Sequence, residues 1–157
     1  MLAPSRVARL DIHAFRSEVE NPVVTSFGSI PSRAMALIRV EDVDGAHGWG
    51  EIWGNFPTIT SEYRAKLAAT LLPKELIGAT ISSPGAFTQE LARKFHILKV
   101  QASEHGPVNG VLAAINQALW DLNARKQGKP LRQLLNPAAA DAVPAYGSGL
   151  NPSDCIE

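Results

Sequence analysis

Cysteine is nearly absent: Cys155 is the single one among 157 residues. That rules out a disulfide within the chain and fits a reducing compartment. Long apolar runs are missing too. No stretch approaches the ~18 residues of a membrane span. The opening residues MLAPSRVARL lack the apolar core of a secretory signal, so an untargeted, cytoplasmic protein is expected. Neither sign of charge is in excess, with 15 basic and 15 acidic residues. Nothing in that balance points to nucleic acid or to an anionic membrane surface. The chemical signatures of common sites are lacking as well. His13, His47, His96 and His105 show no metal-type pairing such as H-E-x-x-H and are assigned to strand faces or surface. Gly147-Ser148-Gly149 lacks the third glycine and the following helix of a phosphate cradle. The DVDG run lacks the later acidic ligands of a calcium loop, so turn chemistry is the expectation there.

What is present suits one α+β unit. A hydrophobic share of 45% in a chain of this length supports a sizeable core. Val7 to Val19 alternates apolar and polar residues and predicts a strand, with a bulge near Ala14-Phe15. Glu20 to Ser32 holds two prolines and a glycine and is expected to be a loop, unusually apolar through Val23, Val24, Phe27 and Ile30. Arg33 to Val43 predicts a second strand and His47 to Trp53 a third. Between them Asp44-Gly45 signals a type I′ hairpin turn. Glu51 alternates with Trp49 and Trp53 along that third strand, which favours a structural or rim hydrogen bond over a catalytic acid.

Helices follow. Ser61 starts one whose apolar side is Tyr63, Leu67, Leu71 and Leu72, ended or kinked by Pro73. Ser83-Pro84 is a cap with proline in the first turn, and Phe87, Leu91, Phe95 and Leu98 carry that helix on. The strongest periodicity lies in VLAAINQALWDLNARKQGKPLRQLL, from Val111 to Leu135. Val111, Ile115, Ala118, Leu119 and Leu122 form one stripe. Ala113, Ala114, Trp120 and Ala124 widen it, so that Trp120 is expected to be mostly buried. Asn109 is a candidate cap, Arg125 and Lys126 complement the dipole in the last turn, and Gly128 then Pro130 stop the helix. Pro137 to Pro144 thickens in Gly, Pro and Ala like a linker, and Val143 to Ser148 predicts one more strand.

Two stretches carry a resemblance. ALWDLNARKQGKPLRQLL with VPAYGSG after it, and DVDGAHGWGEI upstream, resemble the N-terminal capping domain of the mandelate racemase/muconate lactonizing enzymes of the enolase superfamily. The likeness runs from about Val7 to Gly149. Asn116 stands where the family often has Asp, and Asn136-Pro137 where a Gly pair is common, so no subgroup is assigned. The resemblance implies a three-stranded antiparallel meander followed by a three-helix bundle over 1–136. Residues 137–157 would be a linker and the orphan first strand of a (β/α) barrel.

In that family the barrel does the chemistry: a base takes the proton beside a carboxylate while Mg²⁺ stabilises the enediolate. The bases come as Lys-x-Lys on the second barrel strand, and this sequence has no Lys-x-Lys. None of its residues therefore inherits a catalytic or metal-binding role, and the chain alone is expected to bind no cofactor. Instead, the resemblance implies loops that fold over the barrel mouth. Val24, Thr25, Phe27, Trp53, Asn55 and Phe56 would touch substrate, and Tyr146 and Ser148 would line the pocket floor. Phe27 and Phe56 suit packing at the cap–barrel junction equally well. The substrate would be a small carboxylate such as a hydroxy acid, a sugar acid or a muconate, turned over by an isomerase or lyase. Unpartnered apolar residues at Val23–Ile30, Trp53, Phe56 and 143–148 predict self-association. The alternatives are a free-standing, non-enzymatic α+β binding or oligomerisation module, and a truncated gene product without function.

Overall fold

The structure, a computed structural model, describes residues 4–26, 28–54 and 59–147. Four strands form one antiparallel sheet in the order β3-β2-β1-β4. They are β1 (Ser5–Thr25), β2 (Gly28–Asp42), β3 (His47–Ile52) and β4 (Thr80–Ile81). The helices are α1 (Thr60–Leu71), α2 (Pro73–Leu76), α3 (Pro84–Lys94), α4 (His96–Gln101), α5 (His105–Gln127) and α6 (Leu131–Leu135). This is the expected meander and helices, with a short fourth strand that pairs only Ser5 with Ile81 and Arg6 with Thr80.

One sheet face is apolar and packs on α5. Ala36, Ile38 and Val40 of β2 and Ile52 of β3 are fully buried there. From α5, Val111, Ile115, Ala118, Leu119 and Leu122 meet them, as the periodicity requires. Trp120 departs from expectation. It is only half-buried, because it lies at the margin of the stripe while Ala114, on the sheet side, takes the buried position.

Gly48 and Gly50 set how closely α5 approaches. A Cβ on Gly48 would stand 2.2 Å from the Ala118 carbonyl oxygen, and one on Gly50 1.9 Å from that of Ala114. Only glycine lets the helix backbone reach the strand there. The same approach covers the sheet edge. The N–H groups of Trp49 and Glu51 point away from β2 and donate to Asp121 Oδ2 at 2.9 Å and to Gln117 Oε1 at 3.1 Å. An edge strand that would otherwise show free donors is thus closed by helix side chains. The two resembling stretches, GWGE and ALWDL, are the two sides of this one contact.

Several expectations are corrected at element ends. The DVDG turn is a hairpin turn of another type. Gly45 has φ +83 while Asp44 keeps negative φ, and the Gly45 N–H donates to the Asp42 carbonyl at 3.0 Å. That is a three-residue connection with a left-handed glycine last. The buried Asp42 carboxylate braces it, accepting from the N–H groups of Asp44 and Ala46 at 3.0 and 3.1 Å and from Lys126 Nζ at 2.5 Å. α1 buries Thr60, Ser61, Ala65 and Ala68, with Leu72 just beyond its end; Leu67 and Leu71 pack against the core partly buried, as expected, while Tyr63 is exposed. The Phe87–Leu98 helix breaks at Phe95 into α3 and α4. α5 begins at His105, ahead of the expected Asn109 cap, with no side-chain cap bond. The caps at Ser83 and Gly128 stand as expected. Ser83 accepts from Ala86 N–H, and Gly128 is left-handed with φ 60.

Candidate functional site

The largest correction falls where substrate contacts were expected. Glu20–Ser32 is not a loop. β1 runs on to Thr25 and β2 starts at Gly28, so the two strands form one long hairpin. Ala14-Phe15 pair regularly with Ala36 and Met35; the register shifts instead between Val7 and Arg9 and, towards the tip, between Glu18 and Val23. Glu18 faces Ser32 and Val23 faces Ile30. Pro22 and Pro31 therefore both fall within the irregularity, where the ladder asks for no N–H. The prolines that suggested a loop mark the bulge instead. At the tip, Thr25 Oγ1 donates to the Gly28 carbonyl at 2.9 Å, and Gly28 has φ +124.

β3 ends opposite Ala36, so the hairpin continues past it alone. At about 3.3 Å per residue the projecting part, 28–35 on β2, is roughly 26 Å long. Val24, 78% exposed, and Thr25 stand at its end. Trp53, 57% exposed, leaves the sheet at the hairpin's base on the same side of the molecule. The structure thus brings Val24, Thr25 and Trp53 to one end of the sheet, with the tip pair well beyond Trp53. Phe27, Asn55, Phe56 and Ser148 lie outside the described residues. Tyr146, 90% exposed, follows α6 in irregular chain and joins no strand within 143–147.

Side chains that sequence reasoning missed fix this end. Arg16 of β1 grips Glu62 of α1 with two parallel bonds, Nε to Oε1 at 2.8 Å and Nη2 to Oε2 at 2.7 Å. Its Nη1 also donates to Ser32 Oγ at 2.6 Å. One guanidinium so ties both hairpin strands to α1 at the point where the hairpin leaves the sheet. The Arg16 bond, helped by the N–H of its own residue, holds the Glu62 carboxyl below its usual range. A second anchor is Arg64, which donates from Nη1 to the Trp53 carbonyl and lies 5.6 Å from the indole centroid, a cation–π distance. Ser61 Oγ donates to the Gly54 carbonyl at 3.0 Å and holds the next residue of that segment. Such pairings, 46 residues apart for Arg16 and Glu62, leave no periodic trace in sequence.

Glu51 is not part of this anchoring. Its carboxylate lies exposed on the outer sheet face with no hydrogen bond among the described residues, and only its N–H is held. Nor does the site contain a metal cage: among the described residues no three His, Cys, Asp or Glu side chains are placed to hold an ion. Among the same residues no helix is long and apolar enough to cross a membrane.

A projecting hairpin on an antiparallel sheet backed by helices is the architecture of an enolase N-terminal-type domain. The family model of the mandelate racemase/muconate lactonizing enzyme N-terminal domain matches residues 9–136, and the chain belongs to that family of the enolase superfamily. It is 30% identical over 136 residues to an o-succinylbenzoate synthase of Geobacillus stearothermophilus, covering 87% of this chain and 34% of that enzyme. A mandelate racemase/muconate lactonizing enzyme structure from Bordetella bronchiseptica RB50 superposes with TM-score 0.74 at 36% identity, over 85% of this chain and 34% of that one. An enolase from Bradyrhizobium, solved with magnesium and mandelic acid, shares the fold with TM-score 0.70 at 23% identity, over 86% and 36%. The chain spans about a third of the length of these relatives.

Proposed function

We propose that this chain is the closing and substrate-selecting part of an enzyme that removes the proton beside a carboxylate. Residues 1–136 would be the cap, and 137–157 a linker leading into the first strand of a barrel. The base and the Mg²⁺ ligands belong to that barrel; the described residues here offer no set that fits the metal. The end of the family match at residue 136 supports the boundary. The magnesium and mandelic acid in the Bradyrhizobium enolase, and the o-succinylbenzoate synthase kinship, support a small carboxylate substrate. The reaction class would be isomerase or lyase.

The observation that carries this function is the anchored hairpin. A two-stranded ribbon standing alone in water is marginal, and here Arg16 pins its base while an exposed apolar residue, Val24, is held at its tip. That is the geometry of a lid: rigid below, apolar above, positioned to expel water from a site it covers. Trp53, anchored by Arg64, offers a second apolar wall. Phe27, Asn55, Phe56, Tyr146 and Ser148 complete the set proposed to touch substrate.

The test is specificity in the longer protein that includes the barrel. Val24→Ala and Trp53→Ala should change the ratio of kcat/KM between a large and a small carboxylate substrate by about tenfold or more, the effect of lost apolar pocket contacts. The magnesium concentration for half-maximal rate should not move. Ratios unchanged in both variants would remove selection from this chain's role.

A further inference from the structure

Four consecutive residues at the start of α1 hold four different places. Ser61 Oγ donates to the Gly54 carbonyl at 3.0 Å, and Arg64 donates to the Trp53 carbonyl. Between them, Glu62 takes the two parallel bonds from Arg16 of β1, at 2.8 and 2.7 Å. The Tyr63 hydroxyl donates to the carboxylate of Glu104, just ahead of α5. Helical spacing sets this division. Ser61 and Arg64, three apart, share the face towards the Trp53–Gly54 segment, and Glu62 is turned about 100° from Ser61, towards the hairpin. One helical turn thus holds both segments proposed above to touch substrate. That turn has little of its own to keep it formed. Ile59, at the N-cap, supplies no side-chain cap bond, so the first N–H groups lack their usual acceptor. The ties outward are close instead. Ser61 is fully buried, and a Cβ on Gly54 would stand 2.6 Å from its hydroxyl oxygen. Arg64 Nε is buried without a partner, so the Trp53 carbonyl and ring are what hold that guanidinium.

We propose that the first turn of α1 is a shared fastening, through which the hairpin and the Trp53–Gly54 segment gain and lose order together. A helix end held mainly by its side chains opens as one step. Once the backbone at 60–64 leaves helical geometry, Ser61, Glu62 and Arg64 lose their directions at the same moment. Ser61 and Arg64 are then positioning residues for a hairpin to which neither bonds, and Glu62 is the link that carries their effect to it. The two walls behave as one closing unit rather than as two independent ones. The consequence for substrate selection rests on the cap reading above; the coupling itself does not.

Hydrogen exchange of the 157-residue chain tests it at residues 19–26 and 28–32, with residues 111–122 of α5 as the reference. Ser61→Ala and Arg64→Met should each accelerate hairpin exchange about threefold or more, the effect of one hydrogen bond lost from the fastening, and leave the reference unmoved. In a Glu62→Ala background the hairpin is already released from the turn. There the same two changes should alter hairpin exchange by less than about 1.5-fold, because the link between the sites is gone. A hairpin indifferent to Ser61→Ala and Arg64→Met, a hairpin accelerated by them as much without Glu62 as with it, or equal acceleration of hairpin and α5 would each overturn the coupling. In the longer protein with a barrel, Ser61→Ala should move the kcat/KM ratio between a large and a small carboxylate in the direction that Trp53→Ala moves it. Coupled exchange with that ratio unmoved in both variants would sustain the fastening and remove selection from the cap.

Discussion

Gly48 and Gly50 carry more of this fold than their size suggests. Each lies where a side chain would run into the backbone of α5, which has no rotamer with which to give way. Gly50→Ala should therefore cost about 3 kcal/mol or more, at or above the upper end of overpacking penalties, read as a drop in denaturation midpoint. A drop within error would mean that α5 stands further from β3 than it does here. Trp120→Ala should be milder than loss of a buried tryptophan. Full burial would imply roughly 3–5 kcal/mol; half-burial implies about 2 kcal/mol. The glycines of GWGE and the Asp121 of ALWDL were legible as a resemblance, but their physical partnership was not. Spacing along the chain does not say that Asp121 will meet the N–H of Trp49, 72 residues away.

The hairpin is the element whose character changed most between sequence and structure. Pro22, Pro31 and Gly28 are loop-forming residues taken singly. Pairing across the strands puts both prolines in one bulge and the glycine at the turn, and only a partner strand reveals that. The helices were easier, because a stripe such as Val111–Ile115–Ala118–Leu122 repeats within one element. The hairpin's dependence on its clamp gives a pH prediction. The Arg16 bond holds Glu62 below its usual pKa. Its contribution is thus complete above the ordinary carboxylate range and is lost as pH falls through the lowered folded value, where the neutral acid no longer pairs with the guanidinium. Hydrogen exchange at residues 19–26 and 28–32 should accelerate on acidification into that range, ahead of exchange in α5. Glu62→Gln should show the faster exchange already at neutral pH and no further acid step of its own. Protection of the hairpin unchanged in Glu62→Gln would show that it stands without the clamp.

At the scale of the molecule, the proposed function places chemistry in a barrel and selection in this chain. The described residues build an apolar core, a closed sheet edge and an anchored lid, and they gather no base and no metal cage. The α+β class, three of the four strands, the core stripe of α5 and the family were all readable from sequence. The lid's clamp and the fourth strand were not, since each is made by residues that meet only after folding. The most direct measurement of the central claim compares Mg²⁺-dependent turnover by the 157-residue chain with that of the longer protein carrying a barrel. A panel of hydroxy acids, sugar acids and muconates would be assayed with and without a chelator. Turnover by the longer protein, abolished by the chelator, with none above background from the 157-residue chain, is the predicted result. Chelator-sensitive turnover by the 157-residue chain alone would contradict it.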